Sequence, residues 1–231
     1  MKFTRIFSRP NIILFPLFCF GIYCVGLVFD ISRNTIRSRL LSGYRENENH
    51  RLLIYGNPTP PDRHSYTSIL IDPDIGLCGG SLIADNAVLT SAFCAGLFSS
   101  VTVGIHDVSD SGYAAGGYEV GKILKTVVHP EYGGSKNGYK NDLAVLVLQT
   151  SIDGIRPVCM ADSTLDNPSG KELYSLGWGI TEAQDMSTVL QEAGVKYITN
   201  EECRDTTTDG DGSYGFRDII NVDTYMCASS S

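Results

Sequence analysis

The chain predicts an all-β protein built from antiparallel barrels or sandwiches, preceded by one apolar N-terminal helix. Two observations predict the β architecture. From Tyr66 onward, short apolar or alternating runs follow one another, each bounded by Gly, Asp, Asn or Ser. No stretch in that region has the apolar spacing of a long amphipathic helix, and so regular a succession of short strands suits closed or stacked antiparallel sheets.

The first element is "NIILFPLFCFGIYCVGLVF", residues 11–29, in which the 18 positions from Ile12 to Phe29 carry no charge and follow Lys2, Arg5 and Arg9. As a helix it would be roughly 27 Å long, enough for a hydrocarbon core. Residues 1–29 are therefore expected to direct the chain into the secretory pathway, either as a cleaved signal peptide, with Cys24 and Gly26 as small residues near a cleavage site, or as an uncleaved signal-anchor; the alternative is a buried core helix. The anchor would leave a type II membrane protein with its domain outside. Arg33, Arg37 and Arg39 balance the basic residues on the near side, so flanking charge does not set the orientation. Residues 30–53 are polar, basic and without hydrophobic period, and form a stalk or pro-segment. "PTPPDRHS", 58–65, is a proline-stiffened lead-in. The strands are then expected at "YTSILI", "GGSLIA", "AVLTSAF", "SVTVGI", "YEVGKILKTVV", "LAVLVL", "LYSLGWG" and "VLQEAGVKYI". An acidic glycine-rich loop, "TTTDGDGSYG", covers 206–215.

Charge is split along the chain. Residues 1–53 carry a net +5, whereas the remaining 178 carry 10 basic and 23 acidic groups, a net of −13. So acidic a body is repelled by phosphate backbones, which argues against nucleic-acid binding. Of seven cysteines, Cys19 and Cys24 lie in the apolar segment, leaving Cys78, Cys94, Cys159, Cys203 and Cys227. In an exported chain these suggest disulfides rather than reactive thiols. His50, His64, His106 and His129 do not fall at ligand spacing from the cysteines, so no metal site and no cofactor are expected.

Six short motifs occur in order: "CGGSLI" (78–83), "AVLTSAFC" (87–94), "VHPEY" (128–132), "NDLAVLVL" (141–148), "GWG" (177–179), and the pair "EEC" (201–203) with "MCA" (226–228). In that order and spacing the chain, from about Ile54 to its end, resembles the trypsin-like serine peptidases. The resemblance implies two antiparallel barrels with the catalytic groups between them, a near-complete first over 54–155 and an incomplete second over 156–231. It also implies disulfides Cys78–Cys94 and Cys203–Cys227. Cys159 matches a cysteine that ties the peptidase domain to its pro-segment in many relatives. Residues 30–77 contain no cysteine, so Cys159 is expected to be free or bridged to another chain.

The family's chemistry needs a serine hydroxyl to attack a carbonyl, an imidazole to take its proton, and a buried carboxylate to orient that imidazole. Asp142 matches the carboxylate. Phe93 stands where relatives carry the histidine, and a phenyl ring has no lone pair with which to accept a proton. Neither His106 nor His129 is expected to take its place. The nucleophile motif would lie beyond "MCA", and the sequence stops at Ser231, so the serine is expected to be absent here. At the activation position, Leu53 stands in place of the Arg or Lys of relatives, and Ile54, Tyr55, Gly56 and Asn57 stand where they carry Ile-Val-Gly-Gly. A buried Asp142 deprived of imidazole must find backbone donors or water, or its ionised form becomes costly and its pKa rises.

Two functions follow from the resemblance. One is a serine endopeptidase family member that is inactive as this chain, as a piece of a longer peptidase would be. The other is a non-catalytic pseudo-peptidase that binds a protein or peptide outside the cell.

Overall fold

The computed structural model describes residues 12–16, 56–72, 76–137, 139–161, 168–179, 187–205 and 225–230. Its strands are β1 (Ile12–Pro16), β2 (Asn57–Pro58), β3 (Thr67–Asp72), β4 (Gly76–Ala84), β5 (Ala87–Thr90), β6 (Ser100–Val103), β7 (Glu119–Val128), β8 (Ala144–Leu148), β9 (Glu172–Gly177), β10 (Gln191–Ile198) and β11 (Tyr225–Ser230). Two one-turn helices, α1 (Asp110–Ala115) and α2 (Asn200–Asp205), complete it.

Strands β3 to β8 close into a six-stranded antiparallel barrel in the order β3-β4-β5-β8-β7-β6. The alternation in β8 shows why this segment is a strand. Ala144, Leu146 and Leu148 are buried, while Val145 and Val147 are half-buried. The inward row meets Ile69, Leu82, Val88 and Val103, all without solvent contact. Burying one such side chain contributes roughly 1.5–3 kcal/mol. Glycine is required at Gly80, where a Cβ would lie 2.7 Å from Ser68 Oγ and 2.8 Å from the Leu89 carbonyl. The second Gly of "CGGS" is therefore set by the close approach of β3 and β5 to β4.

The second unit is a five-stranded antiparallel sheet in which β10 pairs with β9, β11 and β2, and β11 pairs with β1. Leu173, Val195, Met226 and Ala228 form its apolar cluster. The first barrel and this sheet share one core, since Leu176, Trp178 and Leu190 pack in the same cluster as Val101 and Ile105. Backbone bonds stitch the contact: Val108 N–H donates to the Thr188 carbonyl at 2.7 Å and Leu190 N–H to the His106 carbonyl at 2.8 Å. Trp178 Nε1–H donates to that same His106 carbonyl at 3.1 Å.

One element departs from expectation. Ile12–Pro16, where the apolar helix should begin, is extended and pairs antiparallel with Tyr225–Ser229. The edge of β11 offers a row of backbone groups, and an extended segment satisfies its own groups by joining it. Pro16 sits at the end of this edge strand, a position that tolerates the missing donor. The remainder of the predicted helix, 17–29, lies outside the described residues, as do the stalk and the activation position at Leu53 and Ile54. Among the described residues no helix is long and apolar enough to cross a membrane.

Candidate functional site

The site is built where β5 ends. Thr90 and Ser91 are buried, and Thr90 Oγ1 donates to the Gly79 carbonyl at 2.8 Å, fixing the strand end against β4. Ser91 then caps a single 3₁₀ turn, Ala92–Cys94, its hydroxyl oxygen accepting the Phe93 N–H at 3.2 Å. Cys94 is bonded to Cys78 on β4, so both ends of this loop are held to the barrel. Ala92 and Cys94 point inward, whereas Phe93 is 42% exposed.

Asp142 reaches the same turn from the loop between β7 and β8. Asn141, just before it, sits in the left-handed region at φ 55°, which a short amide side chain tolerates better than most. Leu143 N–H donates to the Asn141 carbonyl at 2.7 Å and His129 N–H to the Leu143 carbonyl at 2.8 Å, locking the approach to β8. Asp142 is 5% exposed, and its Oδ1 accepts the Phe93 N–H at 2.8 Å. Burial pushes its carboxyl above the ordinary range, against hydrogen bonds from the Ser91 hydroxyl and the amides of Phe93 and Ala92, which hold it down. The carboxylate thus takes a backbone donor, and burial still raises it. Nearby Tyr132 is raised too, first by burial and then by the Asp142 charge.

The linkage has a definite sign. A carboxyl whose pKa is raised on folding binds its proton more tightly in the native state, so stability declines as pH climbs from below ~4 through the raised value. Asp142→Asn keeps an oxygen for the Phe93 amide and removes the buried charge. Its melting temperature at neutral pH is expected to exceed that of the parent, with the difference closing on acidification. Parallel thermal melts at the two pH values measure it, and a gap independent of pH would contradict the assignment.

The other residues singled out from sequence are engaged elsewhere or stand apart. His106 Nε2–H donates to the Thr59 carbonyl at 2.8 Å, and His129 Nδ1 accepts the Glu131 N–H at 3.2 Å. Cys203 and Cys227 are joined, tying α2 to β11, and Cys159 is an exposed free thiol. Among the described residues no three His, Cys, Asp or Glu side chains could together hold a metal ion. Sequence reasoning missed Ser91 as a holder of the carboxylate. Its signal is a serine at a strand end ahead of a one-turn helix, the usual N-cap choice.

The trypsin family model matches residues 54–231. The chain belongs to the trypsin family. Relatives of this trypsin-family chain include granzyme B(G,H) of Mus musculus, 27% identical over 183 residues, covering 76% of this chain and 68% of the relative. The serine protease Hayan of Drosophila melanogaster is 31% identical over 135 residues, covering 54% of this chain and 20% of the relative. Phenoloxidase-activating factor 1 of Holotrichia diomphalia is 27% identical over 179 residues, with 67% and 49% covered. The chain therefore spans between a fifth and about two thirds of the length of these relatives. Among solved structures, neuropsin, a serine protease of mouse brain, superposes with a TM-score of 0.62 at 23% identity, covering 78% of this chain and 75% of that one. A structure of GrC superposes at 0.61 and 23% identity, covering 78% and 76%. At that identity the superpositions establish the fold, a trypsin-type closed barrel with a second sheet beside it.

Proposed function

We propose that this trypsin-family chain does not hydrolyse peptide bonds and acts outside the cell as a protein-binding homologue of the peptidases. The observation that carries the reading is the contact between Asp142 and Phe93. The carboxylate that should orient an imidazole takes the backbone amide of a residue whose side chain is a phenyl ring. In the family's reaction the serine hydroxyl gives its proton to an imidazole as it attacks, and the imidazole returns it to the leaving amine. Phe93 can neither take nor return that proton. Removing the base alone costs on the order of 10⁶ in turnover in serine peptidases of another fold. An Asp142 whose own carboxyl is buried and hydrogen-bonded by Ser91, Ala92 and Phe93 has no route to act in its place. The two disulfides among the described residues support an extracellular setting. Cys159 is accessible for a bridge to a partner chain.

Two measurements test the reading. Incubated with a peptide ester and a fluorophosphonate probe, the purified chain is expected to show no turnover above buffer and no covalent label. Turnover abolished by the phosphonate would overturn it. The placement of Phe93 is tested separately by Phe93→His. A histidine beside the Asp142 carboxylate should titrate above the ordinary ~6.5, because the negative charge favours the imidazolium. A proton NMR titration that finds an unperturbed histidine would remove Phe93 from the imidazole position.

A further inference from the structure

The outer face of β7 carries three of the eight large apolar side chains exposed among the described residues: Val120 at 56%, Leu124 at 65% and Val127 at 44%. Single exposed aliphatics are ordinary, but a row on one strand is not. A local device builds it. The pairing with β8 slips between Ile123 and Lys125, making Leu124 the extra residue of a β-bulge. A bulge lets two consecutive side chains share one face, and Leu124 and Lys125 are both exposed.

Lysines are interleaved with these apolar groups. Lys122 and Lys125 are on the strand, and Lys136 and Lys140 are on the loop that follows, all exposed. These are four of the ten basic residues beyond residue 53, in a region whose net charge is −13. Among the described residues none of the four has an ion-pair partner. The strand has no free edge, since β6 and β8 flank it, so an incoming chain cannot add as a further strand. Recognition has to use side chains.

We propose that this face docks an acidic segment of a partner protein in which carboxylates alternate with aliphatic side chains. The carboxylates meet Lys122 and Lys125, and the aliphatics cover Val120, Leu124 and Val127. A polypeptide segment suits the strip better than an anionic membrane. A segment touches only the strip, within a Debye length of roughly 8 Å. A planar surface also faces the surrounding acidic body and is repelled by it. The proposal deepens the binding function but occupies a different face from Phe93, so hydrolysis by the chain would refute that reading and leave this one standing.

The probe is a fluorescein-labelled peptide alternating Glu and Asp with Leu and Val, titrated with the whole purified chain and read by anisotropy. Binding is expected to weaken as salt rises. It should fall about tenfold in Lys122→Glu/Lys125→Glu and severalfold in Leu124→Ser. All these side chains are exposed, so the variants should keep the parent melting temperature. Should the charge reversal misfold, Lys122→Gln/Lys125→Gln gives the same direction. Four outcomes overturn the proposal: no binding of the peptide, equal binding of its Gln/Asn counterpart, equal binding by the folded variants, or tighter binding to phosphatidylserine vesicles than to the peptide.

Discussion

Replacing Cys78 and Cys94 together by alanine is expected to destabilise the first barrel by about 3 kcal/mol, lowering its melting temperature by roughly 10 °C. The bond closes a loop of sequence separation 16. In the chain-entropy account, releasing that constraint enlarges the unfolded ensemble by about this amount. The consequence for the site is direct. Cys94 ends the 3₁₀ turn that presents the Phe93 amide to Asp142, and Cys78 lies on β4, against which Thr90 is fixed. Without the bond, the turn rests on the Ser91 cap, its own backbone bonds and the Asp142 contact. Amide exchange at Phe93 should therefore accelerate more than exchange in the centre of β8. A double variant that melts with the parent, or an unreduced parent that melts with its reduced form, would show that the barrel holds the loop without help.

How much of this was legible in the sequence depends on how far apart the interacting residues lie. The strands β3, β4, β5, β6 and β8 were read from local runs, because each is a short apolar or alternating segment with turn residues at both ends. The disulfides and the pairing of Asp142 with position 93 came from the ordered motifs rather than from any local pattern. The bulge at Leu124 was not legible: "GKILKTVV" reads as a continuous strand, and the slip arises only from the register with β8. The strand at Ile12–Pro16 was hidden for a similar reason, since apolarity alone does not separate helix from strand and the partner is over two hundred residues away. The short helices α1 and α2 lack room for any helical period. Asn141 at positive φ was readable only as a loop residue.

The same limit hid a polar cluster that couples the two halves, and Glu192→Ala is the substitution that exposes it. Glu192 lies on β10, and both its oxygens are used: Oε1 accepts from Arg63 at 2.9 Å and Oε2 meets His64 Nε2 at 2.9 Å. His64, in the lead-in to the first barrel, is 3% exposed, and its Nδ1 is 3.3 Å from the Tyr66 hydroxyl. A proton on Nε2 lets the ring donate to Glu192 while accepting from Tyr66. Arg63 in turn lies over the Tyr174 ring of β9 at 5.5 Å. Alanine at 192 removes the acceptor that holds the buried His64 N–H, at a cost of about 1–3 kcal/mol. The half-exposed Arg63 pair adds at most about 1 kcal/mol. The loss is therefore expected to be about 3 kcal/mol, or roughly 9 °C. Glu192→Gln keeps one acceptor oxygen and should lose about 1 kcal/mol. Arg63→Ala, which removes only the exposed arm and its ring contact, should lose less than Glu192→Ala. That ordering separates a buried hydrogen-bond requirement from simple charge pairing. If Glu192→Gln were as damaging as Glu192→Ala, the carboxylate charge would be what joins the halves. If neither changed the melt, the shared apolar core at Trp178 and Leu190 would be sufficient by itself.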